Sequence, residues 1–400
     1  MTFLIWFAAI ALFVQLASIA FLLVVRQRHR SSQGQAAPRP PVTLIRPICG
    51  LENNLERCLA SSFRLDWPSY EILFCVAKAD DPAASLVRRL MAEHPEVQAR
   101  LLVGEDPFSV NPKMNNVVKG WRSAKHDWIV MTDSNVLMPP DHIARMMTRW
   151  DNRTGLVCSP PAGTEPENFG AFVESAWLDS FQARWQLLAD AVDFGFAQGK
   201  SMLFNRQLIT RLGGFERLGE EVAEDAAATL LIRSAGLKVR LVQEPFPQPL
   251  GERDIKAVWK RQLRWARLRR ASFPLYFLPE IFTGAALPAA AIIAASAMGS
   301  VPLLAPLAYL AAWYAGEILL ARAYGWPTGW RIIPAMITRD LLLPVLFVAA
   351  WFGSGFEWRG NAMTVADNDN GRSTRLRQAV ARTGAKAKEK ARALVTARSH

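Results

Sequence analysis

Apolar and polar positions follow three different patterns along this chain. No charged side chain occurs from Thr2 to Val25, and the basic run RQRHR (Arg26 to Arg30) follows directly. That length spans a bilayer core. A secretory signal would carry its positive charge before the apolar run and a small-residue cleavage site after it. Here the order is reversed, which predicts a membrane anchor over residues 1–25. The positive-inside bias then puts the N-terminus outside and the following residues in the cytoplasm.

After a linker over 26–41, rich in Ser, Gln, Ala and Pro, the pattern alternates through 42–272. Strand-like runs occur at VTLIR (42–46), EILFCVA (71–77), ARLLV (99–103) and DWIVM (127–131). Helical spacing lies between them, over Leu51 to Phe63, Pro82 to His94 and Lys113 to Arg122. Strands alternating with helices predict βαβ units, hence an α/β domain with a mostly parallel sheet.

From residue 273 the chain turns apolar again. There are 36 uncharged residues between Glu280 and Glu317, enough for two spans, with GSVP (Gly299 to Pro302) as a turn between them. A third segment, Ile332 to Phe356, is interrupted by Arg339 and Asp340. Its uncharged part is short for a span, so spanning, re-entrant and interfacial placements all stay open. Residues 273–356 are therefore expected to form transmembrane or interfacial helices, and 357–400 a basic, disordered tail.

Charge adds one correction. The net charge of +12 hints at nucleic acid, but residues 372–400 hold nine Lys/Arg against one acid, Glu389, so +8 of it belongs to the tail. That tail lacks the interleaved aromatics of a single-strand binder, so anionic lipid is the expected partner and nucleic acid is not. The four cysteines have no metal-ligand spacing and are expected as buried thiols.

Candidate chemistry sits where strands end. WIVMTDSN runs from a buried strand into Asp133, and KADDPA places Asp80 and Asp81 after the second strand. In open parallel sheets the ligand crevice lies beyond the strands' carboxyl ends; an ordinary turn or cap Asp is the competing reading. Neither GxGxxG nor GxxxxGK[ST] occurs, so dinucleotide and P-loop sites are unsupported. Glu224 and Asp225 open an apolar-periodic helix, where the helix dipole also favours acids. The basic, Trp-studded segment VWKRQLRWARLRR (258–270) fits a membrane-surface helix, or an Arg pairing with a diphosphate. Phe169, Phe172, Val173, Trp177, Phe181, Trp185 and Leu188 form one helical stripe, suited either to core packing or to a lipid entrance.

The order of these features resembles family 2-like glycosyltransferases, and within them the ceramide glucosyltransferase family. The matching motifs are RPICG (46–50), DDPA, NPKMNN (111–116), TDSN, AED (223–225) and RQLRW (261–265), the last fitting that family's (Q/R)xxRW. The likeness covers about residues 1–350. It implies a GT-A, nucleotide-sugar-binding fold, a UDP-sugar donor and inverting transfer onto a membrane lipid, with ceramide as acceptor and glucose as the sugar. Carried over by position, it assigns Asp81, beside Asp80, to the uridine end of the donor. Asp133 goes to the metal–diphosphate site, with Mg²⁺ or Mn²⁺ as the cofactor. Asn135 stands where a DxD motif has its second carboxylate, leaving Asp133 as the one charged ligand. Asp225 becomes the general base, and Arg261, Arg264 and Trp265 close over the donor, assisted by Lys113. Trp177, Phe181 and Trp185 are the candidate acceptor contacts. A bacterial inner-membrane protein with a cytoplasmic catalytic domain follows from this reading.

Three rivals stand beside it. A processive polysaccharide synthase shares the (Q/R)xxRW motif but needs more membrane segments than this chain offers. A transferase acting on another bacterial lipid, such as a hopanoid or diacylglycerol, is the runner-up. A non-catalytic membrane protein would tolerate Asn at Asp81, Asp133 and Asp225.

Overall fold

The computed structural model describes residues 1–31, 38–358 and 361–364. The basic tail from 365 onward and linker residues 32–37 lie outside the described residues.

The catalytic-size domain is built on a seven-stranded sheet. Its strands are β1 (Val42–Ile48), β2 (Tyr70–Val76), β3 (Gln98–Val103), β4 (Trp128–Thr132), β5 (Thr154–Ser159), β7 (Ser201–Asn205) and β8 (Lys238–Leu241). A separate parallel pair joins β6 (Pro161–Pro166) to β9 (Phe246–Gly251). The order is β3-β2-β1-β4-β7-β5-β8, with only β7 antiparallel to its neighbours. This confirms the expected α/β domain with a mostly parallel sheet. β5 and β7, which no alternating pattern announced, extend it.

Alternation along the strands explains why both faces are covered. Ile45, Leu73, Cys75 and Met131 face Met114, Val117 and Trp121 of the helix Pro112–Ser123. Leu44, Ile72, Phe74 and Val130 face the opposite core, with Phe63, Val87 and Leu90. Every residue of β1 is buried, as a central parallel strand requires. The chain moves from β1 outward to β2 and β3, then returns to β4 on β1's other side. That reversal makes a switch point, and a crevice opens beyond the carboxyl ends of β1 and β4.

Among the described residues, three helices are long and apolar enough to cross a membrane: Thr2–His29, Pro274–Ala297 and Ile332–Trp351. Large apolar side chains such as Phe3, Trp6, Ile10 and Phe13 are exposed on the first. The segment interrupted by Arg339 and Asp340 is one continuous helix of 20 residues. Its charges are neutralised inside the protein: Arg339 donates to Glu317 at 2.9 and 3.0 Å, and Asp340 accepts from Tyr314 at 3.1 Å. Glu317 lies on the neighbouring helix Ala305–Tyr324 and also accepts from Gln15 of the N-terminal helix and from Ser180. Buried ions persist only when paired this closely. The pairing binds both terminal apolar regions to the α/β domain.

Candidate active site

The site grows from the strand ends. β4 stops at Thr132, and Asp133 follows, its backbone N–H donating to the Lys200 carbonyl at 2.9 Å. Lys200 directly precedes β7, so the antiparallel strand brings an ammonium to the crevice that a parallel neighbour would not. Its Nζ lies 3.2 Å from Asp133 Oδ2 and 3.3 Å from Asn135 Oδ1.

Lys113 comes from the other side. Asn111 caps the helix Pro112–Ser123, accepting from the N–H groups of Lys113 and Met114, and Pro112 opens its first turn. Fixed there, Lys113 reaches Asp133 Oδ1 and Glu224 Oε1, both at 2.6 Å, and donates to Gly199 O at 2.8 Å. Asn111 Nδ2 holds the other Glu224 oxygen at 2.9 Å. A Cβ on Gly199 would stand 2.6 Å from Glu224 Oε1, so only glycine lets the chain pass here. Burial pushes the Asp133 carboxyl upward, but the Lys113 and Lys200 ammonium groups outweigh it and bring it down to about 2.

Asp225 has the opposite environment. Its Oδ2 accepts the Gly199 N–H at 3.1 Å, and its Oδ1 accepts that of Ala226 at 2.8 Å. Burial and the neighbouring Glu224 charge raise its pKa to about 6. A carboxylate poised near neutrality inside a crevice is suited to taking up a proton.

The remaining predicted residues are placed unequally. Asp81 accepts the N–H groups of Gly50 and Ala83, both at 2.9 Å, tying the loop after β1 to the loop after β2. Gly50 makes its turn at φ +68°, in the left-handed region. Asp80 is exposed beside it. Arg261 is ion-paired with the buried Glu174, which Arg253 also faces at 3.3 Å. Arg264 is half-buried on the same helix, Ile255–Ser272. That helix is held by ion pairs and carbonyl bonds along its length. Arg267 donates to the Phe352 carbonyl at 2.7 Å, and Arg269 pairs with Glu280 at 2.7 and 2.8 Å.

A cavity of about 650 Å³ is bounded both by the N-terminal helix, through Phe7, Ile10 and Val14, and by Asp225. Phe181, Trp185, Trp265 and Phe277 contribute to its apolar wall. Trp177 does not reach it; it is buried among Val173, Trp313 and Met336. The cause is a π-helical turn, Trp177–Ala183, between the helices Phe169–Ala176 and Arg184–Ala191. Its i→i+5 hydrogen bonding shifts the phase of the aromatic stripe, so the stripe divides between core and cavity.

Sequence reasoning missed Lys200 and Arg46. Arg46 is fully buried in β1 and donates to the carbonyls of Cys58, Ser134 and Val136, each at 3.2 Å, bracing the loop that carries Asp133. An arginine in the middle of an apolar strand was the available signal.

Among the described residues no three His, Cys, Asp or Glu side chains gather as metal ligands. The oxygen donors that could serve a divalent ion are Asp133 and the Asn135 amide, and in this structure their oxygens face the Lys113 and Lys200 ammonium groups.

Known proteins resemble this chain. Ceramide glucosyltransferase 3 of Caenorhabditis elegans is 28% identical over 354 residues, covering 85% of this chain and 76% of its own. Ceramide glucosyltransferase 1 of the same organism is 29% identical over 264 residues, covering 66% and 56%. The ceramide glucosyltransferase of Komagataella phaffii is 36% identical over 136 residues, 32% of this chain and 27% of its own. Among solved structures, the mannosyltransferase from Pyrobaculum calidifontis in complex with GDP-Man and Mn²⁺ superposes with a TM-score of 0.48 at 22% identity. That superposition covers 84% of this chain and 98% of the other. A sequence model described as Glycosyl transferase family 21 matches residues 3–370, and the chain belongs to that family, which includes the ceramide glucosyltransferases.

Proposed function

We propose that this protein transfers a hexose, glucose by the names of its relatives, from a UDP-sugar to the hydroxyl of ceramide, with inversion at the anomeric carbon. The observation that carries this reading is the cavity wall shared by a membrane-length helix and Asp225. A two-chain lipid leaves a bilayer at a cost of about 0.8 kcal/mol per exposed CH₂. A base reached through an apolar cavity beside the membrane avoids that cost.

In this mechanism Asp225 accepts the proton of the lipid hydroxyl as its oxygen bonds to the anomeric carbon. The bond from that carbon to the diphosphate oxygen breaks on the opposite face, and UDP departs with the electron pair. Asp81 serves the uridine end. Lys113, Lys200 and Arg264 supply positive charge for the departing diphosphate, and Trp265 covers the donor. Asp133 and Asn135 would hold a divalent ion, whose contribution is to neutralise diphosphate charge. Arg261, engaged with Glu174, positions the basic helix in this scheme. The basic residues that end the first helix support a cytoplasmic catalytic domain.

The test is a lipid extract from bacteria expressing the chain, supplied with ceramide and a panel of UDP-sugars, read by mass spectrometry beside Asp225→Asn. A hexosylceramide is expected with the wild type and a drop of about 10³-fold with the variant. A glycosylated hopanoid or diacylglycerol in its place would keep the chemistry and replace the acceptor. No glycolipid from correctly inserted protein would overturn the proposal.

A further inference from the structure

The cavity wall is mostly apolar, and beside the charged Asp225, Arg233, Arg269 and Glu280 it carries a band of side-chain amides, two of them incompletely bonded. Gln182 and Gln186 both line it, and each is more than nine-tenths buried. Gln182 Nε2 donates to Gln262 Oε1 at 2.8 Å, while its own Oε1 has no hydrogen-bond partner. Gln186 Nε2 donates to Gln198 Oε1, and again its Oε1 is unpartnered. The indole N–H of Trp185, between them, is also unpartnered. Buried polar groups are normally satisfied, so these three, with the unpartnered Ser272 Oγ in the same wall, call for a ligand.

Their position says which part of the ligand. Gln198, the partner of Gln186, directly precedes Gly199, whose N–H holds Asp225. Gln262, the partner of Gln182, lies on the basic helix between Arg261 and Arg264. The band therefore sits at the reacting end of the cavity, where the head of a lipid acceptor would lie. The terminal torsion of glutamine is soft, and a half-turn exchanges its donor for its acceptor. A pair of such amides can meet both the N–H and the C=O of a secondary amide, whereas an ester offers acceptors only.

We propose that Gln182 and Gln186 read the amide of the acceptor, restricting the enzyme to N-acylated amino-alcohol lipids and against ester-linked lipids of equal chain length. This rests on the cavity being the acceptor site.

The experiment compares wild-type membranes on ceramide, its N-methyl derivative and a diacylglycerol of matched chains, with the UDP-sugar held constant. Ceramide should exceed both by about 10- to 100-fold in kcat/KM, since a site built to bond a donor rejects the analogue lacking it. Gln182→Leu and Gln186→Leu should bring the ceramide to N-methylceramide ratio within about threefold of unity, with the donor KM unchanged. Equal use of the three lipids by the wild type would overturn the inference while leaving glycosyl transfer intact, and needs no variant. Variants that slow both acceptors alike would overturn it too, showing a merely structural role. If the wild type glycosylates no lipid, the acceptor-site reading falls and this inference falls with it.

Discussion

The two ends of the site are built on opposite physical terms. At the end proposed for the donor, Lys200, Asp133, Lys113 and Glu224 are linked in a chain of ion pairs, so charge is concentrated and locally balanced. At the end proposed for the acceptor, helices from three parts of the chain enclose a mostly apolar cavity, whose polar groups are a few amides, Asp225 and the charged Arg233, Arg269 and Glu280. Asp133 is held ionised by two cations, while Asp225 is brought toward neutrality by burial. Two carboxylates of the same chemistry thus receive different tasks from their surroundings. In the proposed reaction a polar nucleotide and a lipid need different environments, and this contrast would separate them around Asp225.

The strongest way to break this contrast is Lys113→Met. It leaves Asp133 and Glu224 without their common cation, and unpairing buried charges costs about 3 kcal/mol or more. Thermal unfolding in detergent should register that loss; a change below about 1 kcal/mol would show that the cluster is not mutually dependent.

Acid should sharpen it next. Asp225 must be ionised to act, so kcat/KM should fall about tenfold per pH unit below about 6 and stay flat above. The sign for stability is opposite. In the unfolded chain this carboxyl ionises near 3.8 and in the fold near 6, so its contribution is full below 3.8 and lost as pH rises through 6. Asp225→Asn should remove that slope from unfolding curves recorded between pH 4 and 7.

Filling the apolar end should disturb only the lipid. Ala189→Trp adds an indole to the cavity wall and is expected to raise the ceramide KM about tenfold, with the donor KM unchanged and short-chain ceramides less affected. Equal effects on donor and acceptor would mean the two ends are not separate. The smallest effect belongs to Arg267→Met, which removes exposed bonds from the basic helix to the Phe352 and Gly355 carbonyls. About 1 kcal/mol of stability should be lost, read as a shift in detergent unfolding.

Legibility follows the same division. Asp81, Asp133 and Asp225 were recognisable because each begins where a local pattern stops, at a strand end or a helix start. Lys200 was not, because β7 pairs antiparallel with strands far away in sequence and no alternating run announces it. Trp177 was grouped with Phe181 and Trp185 because a stripe is read at 3.6 residues per turn. The π-helical turn changes that phase and sends Trp177 to the core. Arg339 and Asp340 looked like an interruption, until Glu317, Ser180 and Tyr314 closed around them.

The order of apolar and polar residues was enough to determine the N-terminal apolar helix, the alternating α/β domain and the acidic residues at its crevice. Periodicity and charge act over a few residues, so a linear string records them in full. The pairing of Lys113 with Glu224, the phase of the entrance helix, the amide band and the cavity itself depend on side chains separated by tens to hundreds of positions. Only folding brings these together, because burial and ion pairing are properties of neighbours in space.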